Sequence, residues 1–455
     1  MKKISIIGMG YVGSAMATLV ASSQKKNQYK YFVTGIEQNN TNGKEIAKKI
    51  NSGILPFEIN DKEFKKKFYF ASKIKKNLIC STSIGKIKGS KIVIVSINCD
   101  LQNKKNSVVD LKSFLSSIKK ISLHVDPDAL IIVESTIPPG TCEKKIYPLI
   151  QKIFKKRKIK RKNLLLAYTY ERVMPGNDYL NSIKNYWRVL SGINKESTFQ
   201  CKSFLKQIIN TKKYPLTELE NIRSCELGKI LENSYRSVNI AFIEEWARFA
   251  ELIKIDIYKV IESIRLRPTH ANIRYPGFGV GGYCLTKDPL FGEYAAKKIW
   301  NFKNLKFPFS KQALKVNDDM PLISFGKIKA IFKNKLRNKK ILILGLSYKE
   351  NVGDLRSSPS LYFINKCISK GVNMYWHDPF IKELRNTKAN KVLNLNNISK
   401  FDLVLFAVKH DMYKNIKFNK IYVKKTIIFD SNYTLTKNQL KQIKKNKINF
   451  YSIGR

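Results

Sequence analysis

At 455 residues the chain has room for about three domains, and a hydrophobic fraction of 43% lets each bury a core. Lysine and arginine number 85 against 34 aspartate and glutamate, a formal net charge of +51; the lysines run from end to end among asparagines and isoleucines, so no nucleic-acid partner is expected, and the field is left to attract a phosphorylated small molecule. A membrane span is excluded by the lack of any apolar run near ~18 residues, and a disulfide framework or zinc site by seven scattered cysteines without a Cys-x-x-Cys pair and four histidines far apart; a cytoplasmic protein without a metal is the expectation.

Residues 3–8 read as a buried strand. The basic start imitates a signal peptide, but the apolar run is short and broken by glycine. Gly8-Met9-Gly10-Tyr11-Val12-Gly13 follows, then an apolar helix through Ala15, Met16, Leu19 and Val20. A strand, Gly-x-Gly-x-x-Gly and a helix form a dinucleotide fingerprint, with the pyrophosphate at the helix N-terminus. Residues 22–30 make the connection longer and more basic than usual. The next strand, 31–36, ends at Glu37, whose carboxylate can accept from both ribose hydroxyls and would repel a 2′-phosphate, so NAD is favoured over NADP. Strands at 92–96, 129–133 and 164–168 continue the alternation of a parallel sheet. Glu134 to Thr141 places hydroxyls at the carboxyl end of a strand, where they can face a ligand or cap a helix. Tyr170 to Gly176 is a charged turn in the position of a site loop, and residues 187–192 close this half.

From about Thr217 the pattern changes. Leu227, Ile230, Leu231, Val238, Ala241, Phe242, Phe249 and Leu252 recur at helical spacing. A helix this long bridges domains or packs on a partner copy. It sets Lys229 and Asn233 on one face, as a solvated pair or as part of a site. A helix at 256–264 precedes Gly277 to Asp288, where four glycines in six positions let the backbone pass close to a ligand. Cys284 follows; near a helix start and a cation its thiol would be reactive, with Asp288 one turn on. The alternative is a glycine-rich turn with a buried, inert cysteine. Residues 303–335 are partly helical. Strands at 339–346, 373–376, 403–407 and 427–429 form a second α/β unit, with one glycine where the first has three, so no second dinucleotide is expected.

In this order stand Gly-Met-Gly-Tyr-Val-Gly at 8–13, Ser-Thr-Ile-Pro-Pro-Gly-Thr at 135–141 and Glu-Arg-Val-Met-Pro-Gly at 171–176. Lys229 with Asn233, Gly-Gly-Tyr-Cys-Leu-Thr-Lys-Asp at 281–288 and Asp-Leu-Arg-Ser-Ser-Pro at 354–359 come after them. Together they resemble the UDP-glucose/GDP-mannose dehydrogenase family of nucleotide-sugar 6-dehydrogenases, over nearly the whole chain. The resemblance implies an α/β fold of two Rossmann-like doubly wound parallel-sheet domains joined by a long central helix that forms a homodimer. The expected division is an NAD-binding domain at 1–212, a central region at 213–320 and a nucleotide-sugar-binding domain at 321–455.

It also implies a four-electron oxidation of a sugar 6-hydroxymethyl group to a carboxylate with two NAD+, in polysaccharide biosynthesis. Lys229 and Asn233 would stabilise the developing alkoxide, and Asp288 with a water would remove the proton. Cys284 would form a thiohemiacetal and then a thioester. Glu171 resembles the family's carboxylate that activates the hydrolytic water, and Thr136 the hydroxyl that orients it. Cofactor contacts carry over to Gly8, Gly10, Tyr11, Val12, Gly13, Glu37 and Thr136, and substrate contacts to Arg172, Lys229, Gly281, Lys349 and Arg356.

The chain departs from the family pattern at Tyr170 (commonly proline), at Pro175 (a second glutamate in UDP-glucose enzymes), at Ser96 to Cys99 and at Asp430-Ser431-Asn432, which lacks an arginine. Pro175 removes a charged group near the sugar, which favours UDP-N-acetylhexosamines. Lys287 before Asp288, and His270 where acetamido-sugar enzymes often have arginine, favour UDP-glucose; GDP-mannose comes third. A single-hydride dehydrogenase and a non-catalytic NAD- or sugar-nucleotide-binding protein are the remaining alternatives.

Overall fold

The computed structural model describes residues 1–104, 108–159, 164–173, 176, 178–385, 387–418 and 426–455. They form two units, Met1–Glu232 with Leu290–Phe307, and Asn233–Pro289 with Pro308–Arg455. Each is built on a sheet whose strands are apolar on both faces, the pattern of a parallel sheet covered by helices on either side.

In the first unit, β1 (Lys2–Ile7) leads into α1 (Tyr11–Ala21). Then come β2 (Tyr31–Ile36), β3 (Leu78–Ser81), β4 (Ile92–Val95), β5 (Leu130–Val133), β6 (Leu166–Tyr170), β7 (Val189–Gly192) and the short β8 (Thr217–Glu218). The sheet order is β8-β7-β6-β5-β4-β1-β2-β3. Ile4 and Ile6 of β1 pack into one core with Val33, while Ile7 packs into the other with Val93 and Val95. The chain winds outward from β1 through β2 and β3, then returns to β4 on the other side. The ends of β1 and β4 therefore flank a topological switch point, where ligands of such sheets bind.

Two local expectations are corrected. The strand expected at 164–168 lies at 166–170, because an unbroken apolar run does not mark where pairing starts. β7 pairs antiparallel with β6, so the sheet is parallel only up to that edge. The long basic connection at 22–30 is a hairpin, Gln24–Lys25 against Gln28–Tyr29, turning on Lys26 and Asn27 at φ 48° and 63°. Positive φ at both turn residues matches the twist of two-residue hairpins.

α2 (Ile222–Leu252) is one continuous helix of 31 residues, and the boundary between the units falls within it, after Glu232. α3 (Ile257–Ile264) follows. Cys284 stands in a turn, and the next α-helix, α4 (Phe291–Lys298), begins seven residues later. A helix running on from Cys284 would need an N–H at position 289, which Pro289 lacks.

The second unit continues with α5 (Pro308–Ile331), β9 (Lys340–Leu344), α6 (Pro359–Ile368), β10 (Asn373–His377), β11 (Asn390–Lys391), β12 (Leu403–Phe406), β13 (Ile427–Asp430) and β14 (Phe450–Ser452). Its six strands are all parallel, in the order β11-β10-β9-β12-β13-β14. Ile341 and Ile343 face one core and Leu342 and Leu344 the other. Among the described residues no helix is long and apolar enough to cross a membrane.

Candidate active site

At the switch point of the first sheet, Gly8 has φ +88°, and a Cβ on Gly13 would lie 1.8 Å from the Gly8 carbonyl oxygen. Both positions therefore require glycine. A Cβ on Gly10 would meet nothing within 4 Å, so the turn leaves an open cradle there. α1 begins at Tyr11 with no side chain capping it, and Tyr11, Val12 and Gly13 form its first turn, whose N–H groups favour an anion. Glu37 stands at the end of β2, where its Oε1 accepts from Met9 N–H. The open cradle, the uncapped helix and the acid beside them fit a dinucleotide, with pyrophosphate on the helix and ribose on the carboxylate.

The segment after β5 is held by buried charge. Glu134 Oε1 accepts from Arg188 Nη1 at 2.6 Å, with both side chains at most 2% exposed. Ser96 Oγ, at the end of β4, lies 3.3 Å from Glu134 Oε2. Burial pushes the Glu134 carboxyl up, and the Arg188 guanidinium pulls the other way. From Leu130 to Cys142 every residue is buried except Thr136, which reaches the surface in part. Removing one member of such a pair strands the other, so Arg188→Met is expected to cost roughly 3–5 kcal/mol, and Arg188→Met with Glu134→Gln to recover part of it. Denaturant unfolding of the two variants measures this; a double variant no more stable than the single one would refute it.

Glu171, Arg172 and Lys229 are brought together in the same unit. Lys229 Nζ donates to the Glu171 carbonyl at 2.8 Å and lies 3.7 Å from Glu171 Oε1. Arg172 donates from Nε to Glu232 at 3.0 Å and from Nη1 to the Trp187 carbonyl at 2.8 Å. Both cations stand over the Tyr170 ring, 5.5 Å and 5.2 Å from its centre, and burial pushes the Tyr170 hydroxyl up. Tyr170, the departure from proline, thus faces the two cations. Met174 and Pro175, on which the sugar expectation rests, lie outside the described residues.

In the second unit Cys284 is partly exposed, whereas the other six cysteines are buried. Its carbonyl accepts from the N–H groups of Lys287 and Asp288, at 3.1 and 2.9 Å, so a single turn joins thiol and carboxylate. Asp288 is fully buried. Its Oδ2 accepts from Asn233 Nδ2 at 2.7 Å and its Oδ1 from Lys287 Nζ at 2.7 Å. The cation read beside the thiol is therefore paired with the aspartate.

The glycines of this stretch serve packing. Where a Cβ on Gly281 would stand, the Tyr348 Cβ is 2.5 Å away and the Ser357 carbonyl oxygen 2.8 Å away. Lys349 follows Tyr348 and is half-buried, and burial pushes its amine down. Arg356 is forked onto Asp354, with Nη2 to Oδ2 at 2.7 Å.

Sequence reasoning missed the groups that hold these loops. Asp378 Oδ2 accepts from the N–H groups of Leu346 and Ser347 at 2.7 and 3.1 Å and from His410 Nε2 at 3.1 Å. The Asn351 N–H donates to His410 Nδ1 at 2.9 Å, which fixes the other end of the Lys349 loop. Glu134, Arg188 and Glu226 were likewise missed. For Glu226 a signal existed: Ile222, Cys225 and Ile230 place it on the apolar face of α2.

Residues 2–210 match the family model described as the NAD binding domain of the UDP-glucose/GDP-mannose dehydrogenase family, residues 223–319 its central domain and residues 342–437 its UDP binding domain. A UDP-N-acetyl-D-mannosamine dehydrogenase of Methanocaldococcus jannaschii is 31% identical over 94% of this chain and 92% of its own. A UDP-glucose 6-dehydrogenase of Rickettsia bellii is 26% identical over 99% of each. The solved structure of a UDP-D-ManNAc dehydrogenase from Pyrococcus horikoshii superposes with a TM-score of 0.82 at 26% identity, covering 100% of this chain and 99% of that one. With the three regions in order along one chain, the protein belongs to the UDP-glucose/GDP-mannose dehydrogenase family, the NAD-dependent oxidoreductases of nucleotide sugars.

Proposed function

We propose that the chain oxidises the sugar 6-hydroxymethyl group of a UDP-N-acetylhexosamine, the gluco or manno epimer, to a carboxylate with two NAD+. The observation that carries this reading is Cys284, the one partly exposed thiol of seven, a single turn from the buried cluster of Asp288, Asn233 and Lys287. A single-hydride enzyme leaves that thiol without a task. The names of the Methanocaldococcus and Pyrococcus relatives support the acetamido sugar.

Gly8, Gly10, Tyr11, Val12, Gly13 and Glu37 hold NAD, with Thr136 at its border; when bound it accepts hydride. Asp288, through a water, takes the hydroxyl proton, while Lys229 and the Asn233 amide stabilise negative charge on the sugar oxygen. Cys284 Sγ then adds to the aldehyde carbon as a thiohemiacetal, which goes on to a thioester. Glu171 removes a proton from the water that cleaves it, and Thr136 orients that water. Arg172, Lys229, Gly281, Lys349 and Arg356 bind the nucleotide sugar. The working division is 1–212 for NAD, 213–320 for the cysteine and α2, and 321–455 for the nucleotide.

We also propose a cytoplasmic homodimer built on α2. Leu231, Tyr235, Phe242, Trp246 and Phe249 recur every three, four or seven residues and are each at least half exposed, a continuous apolar stripe of the kind that marks an interface.

Incubation with NAD+ and four nucleotide sugars tests the function. Two NADH per sugar are expected, with the acetamido sugars ahead in kcat/KM and NADP+ a poor substitute because of Glu37. One NADH per sugar would make it a single-hydride enzyme. UDP-glucose turned over tenfold better, a difference of about 1.4 kcal/mol in transition-state binding, would overturn the sugar assignment.

A further inference from the structure

Glu226 is fully buried in α2, one turn before Lys229. Its Oε2 accepts from the Gly140 N–H at 2.5 Å and its Oε1 from the Cys142 N–H at 2.7 Å. Both oxygens of a buried carboxylate are thus engaged by the loop that carries Thr136. The loop is stiff at this point. Thr141 donates twice to the Pro138 carbonyl, from Oγ1 at 2.5 Å and from N at 3.1 Å. Trp300 Nε1 donates to the Pro139 carbonyl at 2.9 Å. Gly140 has φ +93°, and a Cβ there would stand 2.6 Å from Trp300 Nε1. At the far end Glu134 and Arg188 fasten the same loop to the sheet. The same turn of α2 holds the Glu171 loop through Lys229.

We propose that Glu226 is a positioning residue: by gripping the Gly140 and Cys142 backbone on the turn of α2 that carries Lys229, it sets where Thr136 stands relative to Lys229 and Glu171. The inference rests on the dehydrogenase reading for its meaning in catalysis, though not for its structural content.

Ionisation governs the grip. The titratable groups facing Glu226 are Cys142 and Glu143 from the loop and Cys225 from its own helix. Burial pushes both thiols up, Cys225 to about 12 and Cys142 well above its ordinary value, so they stay neutral. Glu143 pairs with Arg223 at 3.2 Å. Burial also pushes Glu226 up to about 7, with the loop's donors pulling back. A raised carboxyl favours the folded state while protonated; that stability is lost as pH rises through about 7. The ionised form grips both N–H groups, whereas the protonated form has one strong acceptor left. Loop order therefore tightens across the same range in which this stability is given up.

Glu226→Gln keeps the shape but turns an amide donor toward one of the two N–H groups. Hydrogen exchange without substrate is expected to quicken at least tenfold in the peptide 135–142 and not in β1. In steady state, kcat should fall at least tenfold and both KM values change less than threefold. In the native enzyme kcat is expected to rise as pH passes through about 7, and in the variant that rise should be absent. If Glu226→Gln does not fold, Glu226→Asp keeps the charge with a shorter reach; it should loosen the same peptide and retain the pH inflection. Unchanged exchange at 135–142, or kcat within twofold of native, or a pH profile superimposable on the native one, would overturn the assignment. Faster exchange in a protein whose native form oxidises no nucleotide sugar would uphold the tether and sink the dehydrogenase reading instead.

Discussion

Cys284→Ser is expected to lower acid formation by at least about a thousandfold, about 4 kcal/mol in the barrier, while NAD+ and nucleotide sugar still bind. A serine hydroxyl ionises far above neutral pH, so it adds poorly to an aldehyde. Oxygen is also the worse group for the later step, because an ester resists water more than a thioester does. The neighbourhood should survive the change. Asp288 is held by Asn233 and Lys287, and the turn is held by backbone hydrogen bonds to the Cys284 carbonyl. Stopped-flow NADH formation and acid release, measured together, separate the two oxidations: at most one NADH per site should appear quickly, with acid following slowly or not at all. Native turnover in the variant would remove the thiol from the mechanism.

The parts legible in the sequence are those whose cause is local. Gly8 to Gly13, between an apolar strand and an apolar helix, dictate their own turn, and Glu37 falls at the end of β2 because the strand before it is unambiguous. The periodicity of α2 gave its face, although its start lies five residues before Leu227. Causes distant in sequence were not legible. Glu134 and Arg188 are 54 residues apart, and Glu226 is 84 residues from Cys142. Each alone looks like a surface charge, and only the partner makes burial tolerable. The glycines at 277–282 read as places where the backbone passes close to a ligand; in the structure Tyr348, Ser357 and Pro359 stand against Gly279, Gly281 and Gly282. The turn at Lys26-Asn27 escaped because neither residue is glycine. The stop before a helix at Cys284 was visible in Pro289 and was overlooked.

Lys229→Met carries the second large expectation, a fall in kcat of about a hundred- to a thousandfold, ~2.7–4 kcal/mol, the range for losing one pre-positioned donor to a developing oxyanion. Methionine keeps an unbranched apolar stem and removes the ammonium that stands over the Tyr170 ring. The native side chain is 8% exposed and its ammonium donates to the Glu171 carbonyl, so it is already oriented when substrate arrives. Its loss also leaves that carbonyl without its donor and the Glu171 carboxylate without a cation at 3.7 Å, so stability should fall as well. Kinetics separates the two effects. A small alkylammonium ion added to Lys229→Met should restore at least tenfold in kcat, because the missing group is a point charge with N–H donors. It should do nothing for Lys229→Arg, whose planar fork fills the space without matching the geometry. A Lys229→Met enzyme within tenfold of native, or one deaf to the added ammonium at every concentration, would reduce Lys229 to a tether for the Glu171 loop.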